Sequence, residues 1–256
     1  MTDLHSDFSA HSRFNGRAQD YAKYRPTYPQ SAIDWILEGL GDTHKLRIAD
    51  LGAGTGISSR LLAERGAQVV AIDPNPEMLT HAQRHTRVRF VRASAEETGL
   101  PGHSIDLITA FQAFHWFSRD VTMLEVSRVL KRCGRIAAVW NDRERAGPFA
   151  IAYQEFIETF GDDVATIDRG RHVASPEQTL TDAGFARVER RDFEHFHRMD
   201  AAAFIGYARS CSYLPVQGAQ YDRLRAGLEE IYNRFRDAGG YVVFAQRTQA
   251  YRADRA

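Results

Sequence analysis

The stretch IADLGAGTGISSR sets Gly52, Gly54 and Gly56 at alternate positions between an apolar β-branched run and a helical one. Glycines in such a turn let backbone N–H groups approach a ligand closely and reach conformations closed to other residues. A plain strand–helix turn does not need three of them. A GxGxxG dinucleotide loop would need glycine at position 57, where the chain has Ile57, so the third glycine comes one residue early. In AIDPNPEM, Asp73 follows Asp50 by 23 residues, where an acid can accept both ribose hydroxyls of a nucleoside. Asp73 could also cap a helix over Pro76–His85. Together the two motifs point to a nucleoside-bearing cofactor.

Histidines offer acid–base or metal chemistry. His115, in AFHWF, is the candidate general base, with a packed structural role as the alternative. His81 and His85 have metal-ligand spacing, but HAQRH lacks the glutamate of HExxH. His195 and His197 share one strand face without an evident third ligand. Cys133 and Cys211 form no CxxC pair. No metal is expected.

The elements that must position these residues alternate between strand and helix. Short apolar runs at Leu46–Leu51, Gln68–Ile72, Val88–Val91, Ile105–Ala110 and Arg135–Trp140 read as strands. Ser58–Arg65, Pro76–His85 and Ser118–Lys131 read as helices. In the last of these, Val121, Leu124, Val126, Val129 and Leu130 form the expected apolar face, with Gly134 as the stop. This alternation predicts an α/β fold: a Rossmann-like, seven-stranded, mostly parallel sheet with helices on both faces. The rhythm breaks after Asn141. Helices are expected at Phe149–Phe160, Pro176–Ala183, Ala201–Tyr213 and Tyr221–Ala238, and strands at Ala186–His195 and Tyr241–Tyr251. One structural domain is expected in three stretches. They are an N-terminal helical cover (1–44), a cofactor-binding core (45–141), and the rest of the sheet with inserted helices capping an acceptor (142–256).

Lys+Arg and Asp+Glu both number 33 among 256 residues, so the formal charge is zero. That balance removes the basic footprint of a general nucleic-acid binder or a polybasic membrane anchor. No apolar run reaches the ~18 residues of a membrane span, and the polar start MTDLHSDFSAHSRF lacks a secretory h-region. A cytoplasmic protein acting on a small molecule, with neither nucleic acid nor membrane as partner, is the expectation.

DLGAGTG, AIDPNPEML, FVRASAEETGLPGHSIDLITAFQAFHWF and EVSRVLKRCGRIAAV, in this order, resemble the successive motifs of class I S-adenosylmethionine-dependent methyltransferases. YAKYRPTYP and AFHWF narrow the resemblance to the type 11 group, and most to its trans-aconitate methyltransferase-like branch. Arg132-Cys133 stands where such sequences often have Pro-Gly. The resemblance implies S-adenosyl-L-methionine as cofactor and S-adenosyl-L-homocysteine as product. It assigns Asp50, Gly52, Ala53, Gly54 and Gly56 to the cofactor loop, and Asp73, Pro74 and Asn75 to the ribose. Met78, Ala95 and Glu96 would flank the adenine. Phe111 and Gln112 would face the amino-acid end. Apart from the resemblance, the segment holding Tyr24 and Arg25 could fold over the cofactor, with Arg25 pairing to the methionine carboxylate, or could be a plain N-terminal packing arm.

An acceptor pocket is expected from Tyr21, His115, Trp116, Trp140, Tyr153, Tyr207 and Tyr213, with plain core packing as the alternative for the aromatics. The nearest relatives imply a carboxylate acceptor; O-, N- or C-methylation of a natural product with His115 as base is the alternative. A nicotinamide-dependent oxidoreductase and a non-catalytic cofactor-binding protein are the rival classes.

Overall fold

The computed structural model describes residues 14–161 and 175–255; the expected N-terminal cover before residue 14 lies outside them. Strands β1 (Arg47–Leu51), β2 (Gln68–Ile72), β3 (Val88–Val91), β4 (Ile105–Phe111), β5 (Leu130–Arg143), β6 (Phe185–Met199) and β7 (Val242–Arg255) form one sheet in the order β3-β2-β1-β4-β5-β7-β6. β1 to β5 pair in parallel; β7 runs antiparallel between β5 and β6. The chain leaves β1 in one direction for β2 and β3, then returns to β4 on β1's other side. That reversal opens a crevice beyond the carboxyl ends of β1 and β4, where open α/β sheets bind ligands.

The helices are α1 (Ala18–Tyr24), α2 (Gln30–Leu37), α3 (Ile57–Glu64), α4 (Pro76–Thr80), α5 (Arg119–Val129), α6 (Pro148–Glu158), α7 (Pro176–Asp182), α8 (Ala201–Arg209) and α9 (Gly218–Phe235). Alternation along the strands feeds two cores. Ile48, Leu107 and Val139 pack on one face with Ile33 and Ile36 of α2 and Leu61 and Leu62 of α3. Ala49, Ile108 and Ala138 pack on the other with Val126 and Val129 of α5 and Leu180 of α7. Arg135 on β5 ties α2 down by donating to the Ile36 and Glu38 carbonyls, at 3.0 and 2.6 Å, while its Nε pairs with Asp254. Those carbonyls lie at a helix C-terminus, where a cation is favoured. A third core, around Tyr153, Phe204 and Phe244, joins α6, α8 and α9 over the end of the sheet.

Three expectations are corrected. On α5 the buried residues are Thr122, Met123, Val126 and Val129, whereas Val121 is 48% and Leu124 73% exposed. The stripe follows i, i+4, i+7 from Thr122, a polar residue whose hydroxyl contacts Glu96 at 3.3 Å, so hydrophobicity alone misplaces the face. The same helix ends at Val129, because Leu130 is already extended and pairs with Ile105; Gly134 lies inside β5. The helix expected over Pro76–His85 stops at Thr80. Residues 81–87 carry no apolar stripe to bury, and the helical spacing of His81 and His85 goes with it.

Candidate active site

β1 ends at Leu51 and runs directly into the glycine loop, where Gly52, Gly54 and Gly56 have φ of +64°, +56° and +79°. A Cβ on Gly52 would lie 2.5 Å from the Cβ of Ala113, and one on Gly54 2.9 Å from the Met78 methyl. Left-handed backbone and close packing together require glycine here. Beneath the loop, Asp50 is fully buried and accepts from the hydroxyls of Ser58 and Ser59, both at 2.6 Å, and of Thr109 at 2.8 Å. Burial raises its pKa against those three bonds. Asp50 therefore fastens the loop to α3 and β4 from below and is not part of the cleft lining.

At the end of β2, the Gly54 N–H donates to Asp73 Oδ2 at 2.8 Å and the Asn75 N–H to Oδ1 at 2.9 Å. The cap of α4 is Asn75, whose side chain accepts from the N–H groups of Glu77 and Met78. Asp73 is thus not the helix cap that the sequence allowed. It lines a cleft of about 740 Å³ of empty space, open to solvent. Gly52, Gly54, Pro74, Asn75, Met78, Ala95, Glu96, Phe111, Gln112, Tyr21 and Trp116 share that lining, all expected from the sequence. Glu96 accepts at 2.9 Å from the N–H of Ser118, which leads into α5.

Gln112 closes the other end. Its φ is +54°, uncommon for a residue with a side chain, and it is held by N–H donation to the Val139 carbonyl and side-chain donation to the Asn141 carbonyl, both at 2.8 Å. Strain of this kind clusters where geometry serves a site. The cleft also takes Phe14, Ser94, Ala113 and Phe117, which sequence reasoning did not single out. Ser94 and Ala113 follow β3 and β4, so the carboxyl-end rule could have found them. Phe14 comes from an arm that docks by Gly16 N–H on Glu77, a contact with no local signal.

Other expected residues lie elsewhere. Ala53 donates its N–H to the Ile72 carbonyl, and Gly56 opens α3; neither lines the cleft. Tyr24 is wedged against Gly206, where a Cβ would come within 2.1 Å of its ring, so it packs α1 on α8. Arg25 donates to the Ser210 carbonyl at 3.1 Å and stands over the rings of Tyr21 and Tyr207; it is not itself part of the cleft lining. Tyr153, Tyr207 and Tyr213 belong to the third core or pack against it.

His115 sits in a short turn after β4 (Phe114–Trp116); it and Trp140 were both expected at the acceptor, but neither is among the residues that line the cleft. Trp140, buried between Phe114 and Tyr251, donates its indole N–H to His115 Nδ1 at 3.1 Å. An indole nitrogen can only donate, so Nδ1 is the acceptor and the neutral ring carries its proton on Nε2. His197 on β6 is held down at a pKa of about 4, first by burial, then by His195 and Arg25. Among the described residues no three His, Cys, Asp or Glu side chains gather as a metal site. No described helix is long and apolar enough to cross a membrane.

A family profile described as a methyltransferase domain matches residues 49–138, the stretch from β1 into β5. An uncharacterized methyltransferase of Mycobacterium tuberculosis is 36% identical over 209 residues, 81% of this chain and 79% of that one. An uncharacterized methyltransferase of Schizosaccharomyces pombe is 27% identical over 221 residues, 83% of this chain and 84% of its own. Among solved structures, a putative type II methyltransferase from Anaeromyxobacter dehalogenans superposes with a TM-score of 0.62 at 28% identity, over 91% of this chain and 97% of that one.

Proposed function

Given that this chain belongs to the class I S-adenosylmethionine-dependent methyltransferases of the type 11 group, we propose that it methylates a carboxylate oxygen of a small molecule. The nicotinamide and non-catalytic readings give way to the family. The cleft fits the cofactor: an acid fixed by two backbone N–H groups suits a ribose diol, and Met78, Ala95 and Phe117 offer apolar surface for a purine. Asp73, Asn75 and the glycine loop would hold the nucleoside, with Phe111 and Gln112 at its amino-acid end. When bound, the cofactor supplies a sulfonium methyl whose transfer leaves a neutral thioether.

The observation that carries the carboxylate reading is the tautomer of His115. With Nδ1 accepting from Trp140, the ring offers Nε2–H as a donor. A base would need that nitrogen bare. A carboxylate, with a pKa near ~4, is ionised at neutral pH and needs no proton removed; it does need a donor to orient it. Orientation alone can account for roughly 7–11 kcal/mol of barrier lowering. The absence of an Asn/Asp-Pro-Pro-aromatic run after β4, where the chain reads AFQAFHW, argues against an exocyclic amine. The resemblance of YAKYRPTYP and AFHWF to the trans-aconitate methyltransferase-like branch supports the same acceptor class.

The test is a screen of small carboxylic acids, phenols and amines for S-adenosylhomocysteine release. The expected product is a base-labile methyl ester; turnover confined to phenols or amines would contradict the reading.

A further inference from the structure

At the edge of the sheet farthest from the late helices, β3 pairs with β2 alone. The Val69 N–H donates to the Arg87 carbonyl at 2.9 Å, and the Asp73 N–H to the Val91 carbonyl at 3.2 Å. Along a paired strand, successive residues turn their main-chain groups to opposite sides. The Val88 carbonyl and both main-chain groups of Phe90 therefore point away from β2, where no other strand stands. The chain also crosses from β3 to β4 without a helix. Parallel sheets normally bury both faces under their crossover helices. Here an open hollow of about 1110 Å³ lies on the uncovered face, lined by Arg47, Val70, Arg87, Arg89 and Ile105. On the opposite face Leu79, Ala82, Val88 and Phe90 line a second open hollow, of about 1070 Å³.

Charge marks the same edge. Between Glu77 and Glu96 the chain carries Arg84, Arg87, Arg89 and Arg92 and no acid, although its formal charge is zero. Arg47 and Arg89 are exposed, and Arg87 donates to the Gly66 carbonyl. Among the described residues no carboxylate pairs with any of these arginine side chains. A second copy of the chain is the wrong occupant, because joining two β3 edges would set like charges against each other. Charged side chains on an edge discourage such self-pairing. The same charges attract a strand of opposite sign.

We propose that the β3 edge takes up an extended acidic segment of another protein as an added strand. The main chain of that segment pairs with Val88 and Phe90. Its side chains alternate between the two faces, as in any strand. Carboxylates fall on the side of Arg47, Arg87 and Arg89, and apolar side chains enter the hollow of Leu79 and Phe90. Main-chain bonds then supply affinity and the two hollows supply specificity. A nucleic acid shares the negative charge but has no amide ladder to give the strand.

The test is fluorescence anisotropy of a short labelled peptide that alternates glutamate with valine. Its controls are the same composition in two blocks, the alternating peptide N-methylated at every amide, and a uridine oligonucleotide. The alternating peptide is expected to bind saturably, and about 10-fold or more tightly than any control. Arg47→Glu combined with Arg89→Glu should weaken it about 10-fold or more, and Arg89→Gln alone by less. Both variants should unfold at the wild-type thermal midpoint, since both side chains are exposed. No saturable binding, or undiminished binding to the folded double variant, would overturn the proposal. Equal binding of the blocked or N-methylated peptide would reduce the edge to ionic adsorption, and preference for the oligonucleotide would make it a polyanion site; either result also overturns it.

Discussion

A single indole N–H decides what His115 can do. Because Trp140 donates to Nδ1, the proton of the neutral ring sits on Nε2, and on the proposed reading the side chain would orient an oxygen instead of deprotonating one. With a carboxylate acceptor, His115→Ala is expected to lower kcat by less than about 100-fold, below the upper range of positioned proton transfer. Its pH–rate profile should run parallel to the wild type's. A larger loss, with the wild type's acidic limb abolished in the variant, would make His115 a base and the acceptor a hydroxyl, amine or carbon acid. Trp140→Phe removes the donor while keeping a ring in the core. It should lower kcat several-fold without changing S-adenosylhomocysteine affinity, and an unchanged kcat would show that the tautomer is not controlled from Trp140. Cys133, exposed inside β5, is a backbone case at the same scale, with φ of +61°. Cys133→Gly should stabilise the protein by up to about 1 kcal/mol in a denaturant titration, since left-handed backbone strains residues with a Cβ.

Elements were legible in the sequence where each contained its own signal. β2 and β3 occupy the expected residues, and β1 and β4 fall within one residue of them, because β-branched runs end at turn residues on both sides. The glycine loop and Asp73 were legible for a related reason: the carboxyl ends of parallel strands are where the crevice must open. What remained hidden depends on tertiary contact. Nothing local says that Thr122 turns inward to reach Glu96, so the buried face of α5 was misjudged. Nor does spacing reveal that Tyr24 fills the gap at Gly206, or that Arg25 turns toward Ser210. Arg143 of β5 stands over the rings of Tyr153 on α6 and Phe244 on β7, a meeting that no window of sequence contains. The corrected face of α5 has a direct consequence. Leu124→Lys, at a residue 73% exposed, should leave the thermal midpoint unchanged, whereas Val126→Ala, at 1% exposed, should cost roughly 2 kcal/mol. The reverse order in thermal unfolding would restore the face read from hydrophobicity alone.

Across the whole molecule, the cleft lies at the β1/β4 switch, and the third core packs the late helices on the end of the sheet where β7 and β6 meet them. That end of the sheet also shapes acid stability. His197 has a folded pKa of about 4, below its ordinary value of 6.5, so the unfolded chain takes the proton first as pH falls. Stability is therefore full above pH 6.5 and is lost progressively towards pH 4, by at most about 3 kcal/mol. His195, Arg25 and the ring of Tyr207 face this imidazole, and His197→Phe should flatten that limb of the stability curve. An unchanged limb would place the acid sensitivity elsewhere. The central claim, that the Asp73 cleft binds the methyl donor, is tested most directly by calorimetric titration of S-adenosylhomocysteine into the wild type and Asp73→Ala. Losing hydrogen bonds to a charged acceptor costs roughly 1.5–3 kcal/mol. The affinity of the folded variant should therefore fall about 10- to 150-fold. Equal affinity in a folded Asp73→Ala protein would contradict the claim.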